Sequence, residues 1–225
     1  LGHSFPTRRS SDLLGYPIYE GMPVYPGLPE VKVTPREQLK NGDPWNGSIL
    51  SIYLHAGTHV DAPWHYVESG VGIDQIPIEN FIYQKPLLIT TTWEPNHLIT
   101  IEELKKAGGN QLYEADIIFF NSGQWKFREK DFEKYSNNFC AVSPEAAEYI
   151  RIELPKVKAV AIDTLSIENL GFGAENGYRT HNAFLNQEKF SQRTILIYED
   201  YNPKPIIGEK LISSETILLH FKEEN

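Results

Sequence analysis

Leu54-His55-Ala56-Gly57-Thr58-His59-Val60-Asp61-Ala62-Pro63-Trp64-His65 occupies positions 54–65 and holds three of the chain's seven histidines. The three histidines and the aspartate follow the spacing His-x3-His-x-Asp-x3-His. Neutral imidazole and carboxylate oxygen are the usual protein ligands of zinc and manganese-type ions. Four such side chains in one short run predict a metal site, rather than a loop whose histidines only satisfy local hydrogen bonds.

The local conformation of this run is predicted from its glycine and proline. Two histidines four residues apart could share one face of a helix. Gly57 and Pro63 argue against a helix, because glycine weakens a helix and proline interrupts it. We predict a strand over residues 48–54 that ends at His55, followed by a tight loop. Gly57 lets the backbone turn back, so the first two histidines and Asp61 can converge.

The run from His55 to His65, His-x-Gly-Thr-His-x-Asp-x-Pro-x-His, resembles the signature of the cyclase family, which includes bacterial kynurenine formamidases and isatin hydrolases. The resemblance implies a single swivelling β/β/α domain with a mixed sheet. It also implies a hydrolase that cleaves a C–N amide bond with metal-activated water and two divalent ions, Zn²⁺ or Mn²⁺. A homodimer or homotetramer is expected from the same resemblance.

Composition sets further limits on function. The chain has 225 residues, of which 40% are hydrophobic, enough for one domain with a substantial core. Its net charge of −9 offers no basic surface for nucleic acid or an anionic membrane, and we expect neither partner. The single cysteine, Cys140, is compatible with a reducing compartment, and we expect a cytoplasmic protein.

Residues 1–13 differ in character from the rest of the chain. The segment 3–13 has no hydrophobic period and no apolar core of a signal peptide. It resembles the translation of a sequencing adapter, so we expect residues 1–13 to be non-native and the native N-terminus to be missing. An ordinary disordered basic terminus is the alternative. Residues 14–225 are then expected to form the single domain.

Short apolar runs alternate with helix signals along the remaining chain. Thr100 with Glu103 is a capping box, and Ser143-Pro144 is a second helix start. We predict a loop for the glycine-rich segment 171–177. The order of strands and helices predicts an α/β fold with parallel pairing. Besides 48–54, strands are predicted over 31–33, 86–92, 115–121, 157–162, 194–198 and 217–221.

The family resemblance assigns metal ligands beyond the motif. It implies that His55 and His59 complete the shell of one ion and that His181 serves the other. Asp61 and Glu199 would be shared by both ions. The interval between His181 and Glu199 is longer than is usual in the family, which leaves Glu188 as the alternative ligand.

The sequence allows two roles for each of two further residues. His65 is predicted to be the general acid/base that protonates the leaving nitrogen, with service as a third metal ligand as the alternative. Asp163, which follows a predicted strand, either orients a metal-ligating histidine or caps backbone donors.

Three aromatic residues are predicted to line a substrate pocket: Tyr25, Trp64 and Trp125. Tyr25 precedes Pro-Gly where kynurenine formamidases carry a tryptophan, and ordinary packing is the alternative for Tyr25 and Trp125. The family resemblance implies a small aromatic amide substrate, for which these residues could provide aromatic walls. The favoured activity is arylformamidase, which converts N-formylkynurenine to kynurenine and formate in tryptophan catabolism by the kynurenine pathway.

Two rival functions remain. The first is an isatin-type cyclic amide hydrolase with the same metal site. The second, from another class, is a non-catalytic metal- or ligand-binding protein on the same scaffold. That second function is expected if His181 and Glu199 lie away from the loop between His55 and Asp61.

Overall fold

The computed structural model describes residues 12–92 and 94–217. The expectation for residues 1–13 and the strand predicted at 217–221 therefore fall almost entirely outside the described residues. The strands are β1 (Lys32–Glu37), β2 (Gly47–Ser51), β3 (His59–Asp61), β4 (Ile82–Tyr83), β5 (Pro86–Thr90), β6 (Leu98–Ile99), β7 (Ile117–Asn121), β8 (Ala141–Val142), β9 (Ala159–Ile162), β10 (Leu196–Glu199) and β11 (Ser214–Glu215). The α-helices are α1 (Ile101–Gly108), α2 (Phe132–Ser136), α3 (Pro144–Glu153), α4 (Leu170–Asn176) and α5 (Arg179–Leu185).

A mixed five-stranded sheet lies at the centre, with strand order β3-β10-β9-β7-β5. The last four strands in this order are parallel, and β3 joins the edge of β10 in antiparallel orientation. The predicted α/β class with a mixed sheet is confirmed. Because parallel strands end at the same edge, the residues that follow β7, β9 and β10 share one rim of the sheet.

The middle of this sheet is buried on both faces, which is why its central strands β7 and β9 are almost wholly apolar. Ile118 and Phe120 of β7 pack into a core with residues of α1, α3 and α5. Ile117 and Phe119 point to the opposite face, where they pack with Phe81 and its neighbours. Successive side chains of a strand alternate between faces, so a strand covered on both sides favours apolar residues at nearly every position.

Two predicted helix starts are confirmed. In the capping box of α1, the backbone N–H of Thr100 donates to Glu103 Oε2 at 2.8 Å, and Glu103 N–H donates to Thr100 Oγ1 at 3.3 Å. At α3, Ser143 Oγ accepts from the backbone N–H of Ala146 at 3.1 Å. These bonds satisfy donors that the first turn of a helix leaves free.

The prediction of a loop at 171–177 is wrong, because α4 occupies most of that segment. The side chain of Asn169 accepts a hydrogen bond from Gly171 N, and Gly177 ends the helix with a φ of +74°. An Asn cap at one end and a left-handed glycine at the other are the usual boundaries of a helix. They outweigh the weak helix propensity of the glycines between them.

The strand predicted at 48–54 is shorter than expected and ends at Ser51. It pairs in antiparallel orientation with β1, which is longer than the predicted 31–33, in a separate two-stranded sheet. Residues 52–54 then lead irregularly into the metal motif. Across the described ranges, no helix is long and apolar enough to cross a membrane.

Candidate metal centre

The pairing of β3 with β10 brings three of the predicted ligands together. His59 lies opposite Glu199 in the register, and Asp61 lies opposite Ile197. Two residues point to the same face of a sheet when they are paired across neighbouring strands or when they lie two positions apart on one strand. His59 Nε2 is accordingly 3.5 Å from Glu199 Oε2 and 3.5 Å from Asp61 Oδ1. The cluster faces the helices, since Ile197 belongs to the helix-side core.

The loop before β3 returns His55 to the same cluster. Gly57 has a φ of +74°, and a Cβ built there would lie 2.6 Å from Met22 Cε, so only glycine fits without rearrangement. His55 Nδ1 lies 2.9 Å from Asp61 Oδ1. The ring of His65, which ends a 3₁₀ turn after β3, lies 4.0 Å from the His55 ring between centroids.

His181 reaches the cluster from α5. Its Nε2 is 3.5 Å from Glu199 Oε1, and its ring stacks on Tyr66 at 4.4 Å between centroids. His181 and Glu199 thus approach the loop between His55 and Asp61. The hydrolase prediction requires this approach, whereas the non-catalytic function is expected only if the two residues lie away from the loop.

The potential ligand atoms form two groups that share Asp61. One group is His55, Asp61 and His65, and the other is His59, Asp61 and Glu199; within each group the ligand atoms lie within 4.8 Å of one another. This differs from the predicted division, in which His55 and His59 serve the same ion. Because His65 lies in the first group, its alternative role as a ligand stays open.

The residues present fit a divalent cation, as their unpartnered atoms indicate. His59 Nε2 and both carboxylate oxygens of Asp61 are buried without a hydrogen-bond partner. The 2.9 Å approach of His55 to Asp61 is close enough for an ion pair but does not have hydrogen-bond geometry. A buried polar atom without a partner costs about 1–3 kcal/mol. Coordination of a cation would satisfy all three atoms at once.

A model of the Cyclase family, described as "Putative cyclase", matches residues 13–169, which is more than half of the chain. The chain belongs to the cyclase family. The matched region contains the whole motif from His55 to His65, whereas His181 and Glu199 lie beyond its end.

Individual proteins are also similar to this chain. An uncharacterized protein of Haemophilus influenzae is 29% identical over 119 residues, which are 53% of this chain and 83% of that protein. The structure of a potential metal-dependent hydrolase with cyclase activity is 27% identical, covers 86% of this chain and 82% of its own, and superposes with a TM-score of 0.63. Isatin hydrolase A from Labrenzia aggregata, bound to benzyl benzoate, is 17% identical and superposes with a TM-score of 0.68. The match covers 84% of this chain and 79% of the isatin hydrolase chain, and at this identity it shows the fold alone.

The charges around the site raise the pKa values of two histidines, so both histidines are protonated at neutral pH. Burial opposes the protonation of His59, but Asp61 and Glu199 outweigh it and raise the pKa of His59 to about 9. Burial likewise opposes protonation of His181, yet Glu168 and Glu199 raise its pKa to about 9. Burial alone would raise the pKa of Asp61, but His55 and His59 hold it well below its usual range.

These pKa values predict that cation binding releases protons. A metal needs the unprotonated imidazole, so at neutral pH an incoming ion must displace the protons of His59 and His181. We expect about two protons released per chain near pH 7, and an affinity that rises with pH until about pH 9. Isothermal titration calorimetry of the metal-free protein with Zn²⁺, in buffers of different ionisation enthalpy, measures this number. Binding without proton release would contradict the protonation of these two histidines in the metal-free protein.

Glu168 is a site residue that the sequence reasoning missed. Its side chain is buried, and Oε2 lies 2.8 Å from His181 Nδ1. The same carboxylate accepts the backbone N–H groups of Thr180 and His181, at 3.2 Å each. It therefore caps the start of α5 and holds the His181 ring with Nε2 directed at Glu199. A carboxylate on the far nitrogen of a histidine is the usual device for orienting a metal ligand.

Replacement of Glu168 by alanine is expected to weaken metal binding about 10- to 100-fold. Glu168→Gln should restore part of the affinity, because the amide oxygen can still accept from His181 Nδ1. Zn²⁺ titration against a competing chelator measures the effect, and circular dichroism checks that α5 is retained. Equal affinity in the wild type and the folded Glu168→Ala variant would contradict this role.

The role of Asp163 as the residue that orients a histidine is not supported by its contacts. One oxygen accepts from Ser122 N at 2.8 Å and Ser122 Oγ at 2.7 Å, and the other accepts from Gly123 N at 3.0 Å. The geometry is that of the alternative, a carboxylate that caps the backbone after β7. Its burial raises the pKa of Asp163 to about 6, in spite of these hydrogen bonds.

Glu188, the alternative to Glu199, lies on the surface. Its Oε1 accepts a hydrogen bond from Ser69 Oγ at 2.6 Å, and it belongs to neither ligand group among the described residues. It follows α5 as part of the polar segment 186–193, whereas Glu199 ends β10 inside the cluster. The geometry favours Glu199 over Glu188.

The three predicted substrate-lining aromatics differ in position. Tyr25 is half-buried, and burial together with the charge of Glu199 raises its pKa. Trp64, which immediately precedes His65, is exposed. The indole Nε1 of Trp125 is buried without a hydrogen-bond partner, while its backbone N–H lies 3.4 Å from Asp163 Oδ2.

The environment of His65 changes the expected order of proton transfers. Loss of water around the ring, together with the nearby His55 and His181, lowers the pKa of His65 to about 4 against the opposing attraction of Asp61. The imidazole is therefore neutral at pH 7. It must first accept a proton before it can donate one.

Proposed function

We propose that this protein is a metal-dependent hydrolase that cleaves a C–N amide bond, most closely of the arylformamidase type. The observation that carries the proposal is the convergence of His59, Asp61 and Glu199 at the edge where β3 pairs with β10. The ligand atoms of His59 and Asp61 are buried there without a hydrogen-bond partner. The similarity to a structure described as a potential metal-dependent hydrolase with cyclase activity supports the metal-dependent hydrolase part of this proposal.

The residues that would hold the metal are those of the two groups that share Asp61. His59 and Glu199 would hold one ion with Asp61, His55 would hold the other with Asp61, and His181, which is directed at Glu199, would be a further ligand. His65, the remaining member of the groups, is left for proton transfer. When bound, two divalent ions, Zn²⁺ or Mn²⁺, would lower the pKa of water and polarise a carbonyl oxygen.

The chain's own residues would supply the remaining steps. His65, neutral at pH 7, would accept the proton of the attacking water and pass it to the leaving nitrogen as the C–N bond breaks. Asp61, held ionised by its histidine neighbours, would keep the site anionic over the working pH range. Tyr25, Trp64 and Trp125 would provide apolar contacts for an aromatic ring.

A second candidate is the hydrolysis of a cyclic aromatic amide of the isatin type. One observation favours it: Tyr25 precedes Pro-Gly at the position where kynurenine formamidases, by the resemblance, carry a tryptophan. The fold likeness to isatin hydrolase A is compatible with either substrate. We further propose that residues 14–225 form one swivelling β/β/α domain that acts as a homo-oligomer.

The test combines metal content with hydrolysis. The purified protein is analysed for bound Zn²⁺ and Mn²⁺, and the metal-loaded protein is assayed with N-formylkynurenine and with isatin. About two ions per chain and release of kynurenine are expected. Turnover of isatin alone would select the second candidate. Tight binding of an aromatic amide by the loaded protein without turnover would instead support the non-catalytic rival.

A further inference from the structure

A buried ion pair lies at the end of β10, directly after the metal-site residues of that strand. The side chain of Arg128, which ends the 3₁₀ turn after β7, is 0% exposed, and that of Asp200 is 1% exposed. Arg128 Nε donates to Asp200 Oδ1 at 2.8 Å, and Arg128 Nη2 donates to Asp200 Oδ2 at 2.8 Å. The hydroxyl of Tyr135 on α2 donates to the same carboxylate. Two neighbouring side chains therefore fix the position of Asp200.

The backbone of Asp200 has a conformation that is uncommon for a residue other than glycine. Its φ is +51°, in the left-handed region. A residue with this strain persists only where its surroundings hold it, and such residues are concentrated at functional sites. Asp200 directly follows Glu199. Its conformation therefore determines how the chain continues from the metal-site strand, and the ion pair with Arg128 maintains that conformation.

The carbonyl group of Asp200 holds the loop that carries the metal motif. Thr58 Oγ1 donates to Asp200 O at 2.5 Å, and the same oxygen accepts the backbone N–H of Tyr16 at 3.0 Å. On one side of Thr58 lies Gly57, whose carbonyl oxygen is 2.8 Å from Nδ1 of His59, the residue on the other side. A histidine held by one ring nitrogen presents its other nitrogen to a metal in a fixed direction.

Stability alone does not account for this ion pair. Taking two charges out of water costs free energy that their attraction often only offsets, so a buried ion pair adds little net stability. Fixing one conformation of the chain is another use of buried charges. The Arg128 guanidinium also contacts the ring of Tyr16, 3.9 Å from its centroid, and the backbone N–H of Tyr16 donates to Thr58. One set of contacts thus joins the end of β10 to the metal loop.

We infer that Thr58 and Asp200 are positioning residues of the metal site, and that Arg128 keeps Asp200 in the required conformation. The hydrogen bond from Thr58 to Asp200 connects the two segments that carry His59 and Glu199, whose ligand atoms lie 3.5 Å apart. Without this bond β3 and β10 still pair, but the loop before β3 is free to shift and to turn the His59 ring away from Glu199. The inference rests on the proposed metal-dependent function.

Zn²⁺ titration of the Thr58→Val protein against a competing chelator tests this role. Valine has nearly the shape of threonine but lacks the hydroxyl, so the carbonyl of Asp200 and the N–H of Tyr16 both lose this partner. We expect the affinity for Zn²⁺ to fall about 10- to 100-fold, the usual effect of losing a residue that orients a metal ligand. Thr58→Ser retains the hydroxyl and should restore most of the affinity.

Asp200→Asn tests the other side of the same contact. Asparagine tolerates a positive φ and keeps an acceptor for Arg128, but it lacks the charge that holds the guanidinium. Zn²⁺ affinity should fall, although Asp200 belongs to neither ligand group among the described residues. Combining Thr58→Val with Asp200→Asn should weaken binding by less than the product of the two single effects, because both variants act through one contact.

Thr216→Val is the matched control. Thr216 is half-buried like Thr58, and its hydroxyl is 2.6 Å from the hydroxyl of Tyr198, which lies on the face of β10 opposite to Glu199. Thermal unfolding of the metal-free proteins measures the loss of a hydrogen bond in each variant. Zn²⁺ affinity should stay unchanged in Thr216→Val, whatever the change in its unfolding temperature.

The outcomes separate this inference from the proposed function. Unchanged Zn²⁺ affinity in the folded Thr58→Val protein would overturn the inference alone, and so would an equal loss of affinity in Thr216→Val. A wild type that binds no Zn²⁺ would contradict the proposed function and this inference with it.

Discussion

Replacement of Glu199 by glutamine is expected to reduce the bound divalent ions from about two per chain to one or fewer. One oxygen of this carboxylate accepts a hydrogen bond from Ile167 N at 2.7 Å, and the other faces His59 Nε2 at 3.5 Å. The amide retains an acceptor for Ile167 but removes the anion. The variant therefore tests metal binding without leaving a buried backbone donor unpaired.

Glu188→Gln is the matched control for this experiment. It makes the same chemical change on the surface, where Glu188 bonds to Ser69, and should leave the metal content unchanged. Elemental analysis of the freshly purified wild type and the two variants measures the result. A loss of metal in Glu188→Gln but not in Glu199→Gln would reverse the assignment.

The motif from His55 to His65 made much of the site predictable. Its ligand-type side chains lie close in sequence, so a turn at Gly57 and a short strand suffice to bring them together. Glu199 was predicted at the end of an apolar strand, and the structure has it at the end of β10. Strand ends at a common rim are the one long-range relation that the order of the elements predicts.

Relations that depend on the packing of separate elements were not predictable. Glu168 contacts His181 because α5 begins at the correct distance and orientation, and no spacing rule connects the two residues in the sequence. The sequence allows two roles for Asp163, orienting a histidine or capping backbone donors. The N–H groups of the turn after β7 donate to its carboxylate, which is the capping role. The segment 171–177 was predicted as a loop from its glycines, although the caps at its ends determine a helix.

The grouping of the candidate ligands around Asp61 could not be derived from the sequence either. The grouping depends on which histidine rings lie on each side of Asp61. The position of His59 is set by the register between β3 and β10. The sequence contains the alternation within β3, but not the pairing that sets His59 opposite Glu199. The contact between Thr58 and Asp200 is a similar case, since only the structure shows that these two residues meet.

Replacement of His65 by alanine is expected to lower the hydrolysis rate by about 10²- to 10⁴-fold, the usual contribution of a positioned acid/base. Bound metal should stay near the wild-type level if His65 carries protons, because His59, Asp61 and Glu199 remain in place. The pKa of about 4 makes the imidazole a proton acceptor at pH 7, so the wild-type rate should decline as the pH falls toward 4.

His97→Ala provides the control for removal of a histidine. His97 pairs with Glu103 at 2.8 Å, outside both ligand groups, and its loss should leave metal content and rate unchanged. Metal content and initial rates are measured on the same preparations of all three proteins. A parallel loss of metal and rate in His65→Ala would identify His65 as a ligand of the group with His55 and Asp61, and the proton transfer would then require another residue.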